Sequence, residues 1–259
     1  MHTKRPQTSA TEIDDVAKIV EACNPTTLGF ESDTAIWRGH GDATWFLMPK
    51  VFRNLSHPDK RYNEAGLIGH FVMRAPTRAH ARTPDADDHF SWLFLAQHYG
   101  LPTRLLDWTE NPLVALYFAV EKETDKDGAV WALWPDKLNE YFTGSGGLVQ
   151  IRDPEAKKIA VDAFSGTLSE PATLAIDGQE IDLRMLVQIG RFTLHGRNTA
   201  IDMIGGSEAW LKQYIVPQNT KEKIRKQLVV MGIKRSNLFP DLANLAAELS
   251  ETSFGNLRA

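Results

Sequence analysis

A single cysteine, Cys23, stands in 259 residues. An internal disulfide is therefore excluded, and so is any zinc site built on paired thiolates. Long apolar runs are missing too. LVALYFAV at 113–120 is among the longest, far short of the ~20 residues that cross a bilayer. The opening MHTKRPQTSA carries charge but leads into no apolar core, so no secretory signal is read there. Charge of one sign is not in excess. A formal net charge of −4 argues against a protein that coats nucleic acid and leaves only a local basic face open. Also absent are the phosphate-cradling glycine-lysine loop, GxGxxG, HExxH and GxSxG. The eight histidines lack metal-ligand spacing and no carboxylate cluster points to a two-metal nuclease, so no metal is expected. Repeats and low-complexity segments are missing as well. These absences describe a reduced, soluble, cytoplasmic protein with no membrane partner.

What is present suits a sizeable core: 42% of residues are hydrophobic and 24% charged. Ser9 and Glu12 have capping-box spacing, which predicts a helix over 9–23 ending near a passive Cys23. AIWRGHGDATWFLMPKVFRN reads as a strand, a tight turn and a second extended piece. Residues 62–75 and FSWLFLAQHYG read as helices, the latter stopped by Gly100 and Pro102. RLLDW is a short strand, and Asn111-Pro112 opens the helix LVALYFAVEKE. KDGAVWALWP is a strand after a turn, and residues 135–180 read as the least regular part. MLVQIGRFTLHG is one long strand or a bulged pair around Gly190. AWLKQYIVP is another strand, NTKEKIRKQLVVMG a helix capped by Asn219, and FPDLANLAAELS a final short helix. Without a βαβ rhythm, the class is α+β: mixed, mostly antiparallel sheets with flanking helices. Residues 1–29 are expected to form an N-terminal helical extension, and 30–259 a single compact domain.

Four constellations could carry chemistry. In WRGHGD at 37–42, Arg38 beside Gly39 and Gly41 suits a phosphate or carboxylate that a guanidinium can grip bidentately. The same spacing also fits an ion pair from Arg38 to Asp42 or Asp107, with His40 on the surface. In YGLPTRLLDWT at 99–109, Leu105 and Trp108 suit a core, and Arg104 suits a tie to an acidic neighbour. Thr109 or Asn111 can cap the next helix, which frees Asp107 for another role; Gln97 and His98 end the helix before the same turn. In QIGRFTLH at 188–195, strand parity sets Gln188, Gly190, Phe192 and Leu194 against Ile189, Arg191, Thr193 and His195. Lys221, Lys223, Arg225 and Lys226, with Lys234 and Arg235 beyond, read mostly as a solvated helix face.

WRGH, LMPKVFR, LAQHYGLPTRLLDWTENPLVALYFA, QIGRFTLHG and LFPDL together resemble the FRG-domain family of bacteria and phages, over roughly residues 30–245. Trp37 stands where that family usually has Phe or Tyr, and Lys50 where it usually has a small residue. The order of motifs is also similar to arginine-type ADP-ribosyltransferases. Their aromatic-Arg-Gly strand is matched by Trp37-Arg38-Gly39, their second motif by Asp107-Trp108-Thr109, and their glutamate strand by Gln188. This resemblance implies an ADP-ribosyltransferase-like split sandwich and NAD as the nucleotide ligand. It implies a protein or nucleic-acid acceptor and the work of an effector, toxin or defence protein. Arg38, Gly39, His40, Thr109 and Tyr117 would contact NAD, Arg38 at the diphosphate or nicotinamide ribose. Asp107 or Gln188 would stabilise the positive charge of the reacting ribose, and His195 is a second acid-base candidate. A glutamine cannot act as a general base, so the alternative is a catalytically inactive domain that binds a nucleotide, nucleic acid or protein.

Overall fold

The computed structural model describes residues 11–28, 35–53, 62–78, 83–168, 173–177 and 190–255. The segment GAVWAL, β-rich in its centre and apolar at every position, is buried along its whole length. Such a strand must be covered on both faces, and it lies inside the sheet. In chain order the strands are β1 (Thr11–Glu12), β2 (Ile36–His40), β3 (Leu105–Thr109), β4 (Gly128–Leu133), β5 (Thr173–Ile176), β6 (Gly190–His195) and β7 (Leu211–Val216). They form one sheet in the order β1-β7-β4-β2-β3-β6-β5. Only β1 and β7 run parallel; every other neighbouring pair is antiparallel. The α+β class with a mixed, mostly antiparallel sheet is what the sequence predicts.

The sheet has a seam. β2 is registered against β4 through five residues, from Ile36↔Leu133 to His40↔Ala129. β3 is registered against β6 through five, from Leu105↔Leu194 to Thr109↔Gly190. Between β2 and β3 the register is the single pair Trp37↔Thr109. The split expected of a sandwich is thus a seam within one sheet, with four strands on one side and three on the other.

Helix α5 (Pro112–Glu121) covers the seam from one side. Asn111 caps it, taking the Leu113 N–H at 2.9 Å, and Pro112 fills its first turn. Its alanines lie almost directly on the strands. A Cβ built on Gly39 would stand 1.9 Å from the Ala115 carbonyl oxygen, and one on Gly128 2.5 Å from that of Ala119. The glycine of the aromatic-Arg-Gly strand therefore serves a helix–sheet contact, and the space above Gly39 is taken by main chain. Trp37, Val114, Val130 and Tyr214 pack around it, together with α1 (Val16–Ala22) and the helix over Lys221–Val230.

The three-strand side carries α3 (Glu64–Arg74), α4 (His89–His98) and α7 (Pro154–Ser165), with Phe94 edge-on to Phe192 at 5.0 Å. Arg104 is 1% exposed and ties these pieces together. Its Nη2 donates to Glu64 Oε2 at 2.7 Å, its Nη1 to the Ile159 carbonyl at 3.1 Å. Breaking such a buried pair leaves an uncompensated charge, at a cost of about 3–5 kcal/mol. The structural tie predicted for Arg104 is there, and Glu64 is its partner.

Four local expectations are corrected. The first helix starts only at Val16, because Asp15 accepts from the Ala17 N–H and caps it; Thr11–Glu12 is instead a strand on the β7 edge, and Ser9 lies outside the described residues. Residues 41–53 hold no second strand. The chain turns back on itself, and Lys50–Phe52 forms a single 3₁₀ turn. Residues 135–180 hold α6 (Pro135–Thr143), α7 and β5, with Gly144 and Gly166 left-handed just past the two helices. Asn219 caps nothing: it sits in a 3₁₀ turn over Gln218–Thr220 that leads into the helix.

The close approach at Gly39 makes an expected outcome plain. Gly39→Ala should lower unfolding stability by at least ~2 kcal/mol, the scale of overpacking against main chain that cannot withdraw. Gly69→Ala, on an α3 position with nothing within 4 Å, should leave stability equal or raise it by up to ~1 kcal/mol. Urea unfolding midpoints of the two variants check this.

Candidate functional site

The seam opens into a cleft of about 510 Å³ on one side of the β2–β3 junction. Its walls include Arg38 and His40 from β2, Trp45, Lys50 and Arg53 from the chain after it, and Asp107 and Thr109 from β3. Glu121 and Lys122 at the end of α5, with Arg235 and Phe239, close the far end. Five cations against two carboxylates give the cavity a net positive lining.

Arg38 spans the seam. One Nη donates to the main-chain carbonyl of Asp107 at 2.5 Å, and Nε donates to His40 Nε2 at 3.0 Å. A ring nitrogen that accepts from a guanidinium carries no proton, so His40 is the neutral tautomer with its hydrogen on Nδ1. The surface His40 of the sequence reading is in fact 3% exposed. The ion pair considered from Arg38 to Asp42 is not made: Asp42 pairs with Lys126 at 2.8 Å. Desolvation lowers the Arg38 pKa to about 10, against a weaker upward pull from Asp107 and a downward push from Arg53. Arg53 is lowered in the same way and for the same leading reason, and both remain cations at neutral pH.

Asp107 is exposed, and its carboxylate is held from the side. Gln97 Nε2 donates to Asp107 Oδ2 at 2.8 Å, the Thr103 hydroxyl donates to Gln97 Oε1 at 2.7 Å, and the Leu105 N–H donates to that hydroxyl at 3.2 Å. This chain of donors fixes both the amide and the carboxylate. Thr109 lines the cleft, with its hydroxyl oxygen accepting from the Asn111 N–H at 3.0 Å.

The structure thus brings Arg38, Gly39, His40, Asp107 and Thr109 to one cleft. It does not bring Tyr117, whose buried hydroxyl is pushed up by burial first and then by Glu121, nor His195. His195 is fully buried on β6, its Nε2 3.0 Å from Thr193 Oγ1, which accepts from Trp108 Nε1 at 3.1 Å. Gln188 lies outside the described residues. Sequence reading missed Lys50, Arg53 and Trp45 as cleft residues, although Lys50 and Arg53 stand three apart in LMPKVFR, a spacing that one 3₁₀ turn brings to the same side.

In the basic run at 221–235, Lys223, Lys226 and Arg235 are exposed as a solvated face requires, and Lys221 departs from that reading. Lys221 is 1% exposed, and its ammonium donates to the carbonyls of Gly41 and Glu123, both at 2.7 Å, and of Lys122 at 3.3 Å. Glu123 takes φ of 49°, a region that favours glycine, in the turn that presents its carbonyl. Lys223 pairs with Asp15 and Arg235 with Glu121, while Lys226 is exposed as expected. Cys23 donates to the Ile19 carbonyl, and burial raises its thiol pKa to about 11. Among the described residues, no helix is long and apolar enough to cross a membrane.

The family model of the FRG domain matches residues 33–128. Every cleft residue named above except Arg235 and Phe239 falls inside that span. No curated protein matches the chain, and no solved structure does.

Burial lowers the His195 pKa from 6.5 to about 3. As the pH falls, the unfolded chain therefore takes up this proton first. The contribution is complete above about 6.5 and is lost progressively towards 3, roughly 2 kcal/mol of it between pH 7 and pH 5. His195→Gln should lose that much less stability over the same interval, as read from urea midpoints at the two pH values.

Proposed function

The chain carries an FRG domain over residues 33–128, and from that premise we propose that its seam cleft holds the diphosphate of NAD and that the protein transfers ADP-ribose. The observation that carries this reading is the convergence of Arg38 and Arg53 on one cavity that also displays the Asp107 carboxylate. Two guanidiniums offer planar, bidentate donors to phosphate oxygens. His40 and the Asp107 carbonyl hold Arg38 in place before any ligand arrives, which lowers the entropy lost on binding.

In this reading the bond between the anomeric carbon of the nicotinamide ribose and the pyridinium nitrogen breaks, and its electron pair leaves with nicotinamide. The ribose carbon becomes positively charged, and the Asp107 carboxylate, oriented by Gln97, is the anion available to stabilise it. A nucleophile of the acceptor then supplies the new electron pair to that carbon and releases its proton to water. Thr109, two residues on along the same strand, lines the cleft with Asp107 and would support the nicotinamide. Because Asp107 carries the charge stabilisation, the role does not require a glutamate at position 188.

Incubation of the purified protein with NAD and cell lysate tests the proposal, with nicotinamide release and ADP-ribose transfer as readouts. Turnover is expected. Arg38→Ala should weaken NAD binding by roughly tenfold to a hundredfold, since one charge-assisted hydrogen bond is worth ~1.5–3 kcal/mol. No turnover together with no calorimetric binding of NAD would sink the proposal. Unchanged kinetics in a correctly folded Arg38→Ala protein would show that the site lies elsewhere.

A further inference from the structure

Five of the seven tryptophans, Trp37, Trp92, Trp108, Trp131 and Trp210, are at most 3% exposed. Trp45 is 43% exposed, and it stands on the wall of the cationic cleft. Burial is not what this ring is for. The loop that carries it is pinned on both sides. Asp42 Oδ1 takes the Thr44 N–H at 2.9 Å and the Thr44 hydroxyl at 2.6 Å, while the Ala43 N–H donates to the Asp127 carbonyl at 2.8 Å. On the far side, the Leu47 N–H donates to the buried Asp202 carboxylate at 2.8 Å, and the Ile201 N–H donates back to the Leu47 carbonyl at 3.0 Å. Leu47 itself is fully buried. A loop anchored so firmly at positions 42–44 and 47 holds residue 45 at a fixed place on the cleft wall.

The ring also connects to the anion-binding residues. Trp45 meets His40 edge-on, with centroids 6.0 Å apart and planes at 63°, and His40 accepts from Arg38. An exposed aromatic ring on a pinned loop, beside converging guanidiniums, matches a ligand that carries a flat aromatic group and a polyanion on one frame. Nucleotides have that chemistry. Stacking of a base on an aromatic side chain tolerates any base, because each has a π-face.

We propose that Trp45 is the base-stacking platform of the cleft, so that the site selects nucleotides over phosphates lacking a base. This rests on the reading of the cleft as a diphosphate site. Two probes separate the two ideas: pyrophosphate, which has the anion alone, and ADP, which adds ribose and base. Calorimetry with both is run on the wild-type protein and on Trp45→Ala and Trp45→Phe, each checked for folding by circular dichroism. The wild type should bind ADP at least tenfold more tightly than pyrophosphate. Trp45→Ala should lose about tenfold for ADP and nothing for pyrophosphate, and Trp45→Phe should recover most of the loss. Pyrophosphate and ADP bound equally well by the wild type, or ADP affinity unchanged in Trp45→Ala, would overturn the stacking role and leave the anion site standing. Absence of binding by either probe would overturn both.

Discussion

The architecture depends on how closely α5 lies on the sheet at Gly39. An α-helix usually rides on side chains, yet here the Ala115 carbonyl occupies the position a Cβ would take. Ala119 repeats the approach over Gly128 one helical turn later. Two glycines on neighbouring strands and two alanines four apart thus let main chain rest on main chain. That contact fixes α5 across β2 and β4, and α5 starts three residues after β3 ends. It therefore bears on the geometry of a seam that a single registered strand pair would otherwise hold alone.

The seam in turn makes the cleft. Because β2 and β3 pair only at Trp37 and Thr109, the main-chain carbonyl of Asp107 is available to a side chain, and Arg38 takes it. A full ladder would have satisfied that carbonyl with backbone N–H and left Arg38 no route across. The cavity opens where the pairing is interrupted; Arg38 reaches across it from β2, and the other lining cations come from outside the two strands.

Much of this was legible in the sequence. β3, β4, α4 and α5 announce themselves through turn residues, caps and apolar patterning, and Asn111-Pro112 caps α5 as its residue types demand. Arg104 declared itself a structural tie, though its partner Glu64 lies forty residues away and no local rule names it. Less was legible where long-range contact decides. Gly39 looked like room for a ligand because the helix that fills the space is distant in sequence. Lys221 looked solvated because helical spacing cannot reveal three carbonyls arriving from other turns. Trp45, Lys50 and Arg53 reach the cleft only because the chain folds back after β2, where apolar and aromatic residues around two glycines read as a second extended piece.

The ammonium of Lys221 acts as a bound monovalent cation would, except that the chain supplies it covalently from outside the family span. The turns after β2 and α5 are gathered around it, and both belong to residues 33–128. The strands of that span follow the same rule: β2 finds its longer register with β4, which only begins at Gly128, and β3 with β6. Severed at residue 128, the matched segment would keep WRGH and LAQHYGLPTRLLDWT but lose QIGRFTLHG, two strand-pairing partners and its internal cation. The span that the family model matches and the length of chain that completes its sheet are therefore different, the later residues supplying β4, β6 and the Lys221 ammonium.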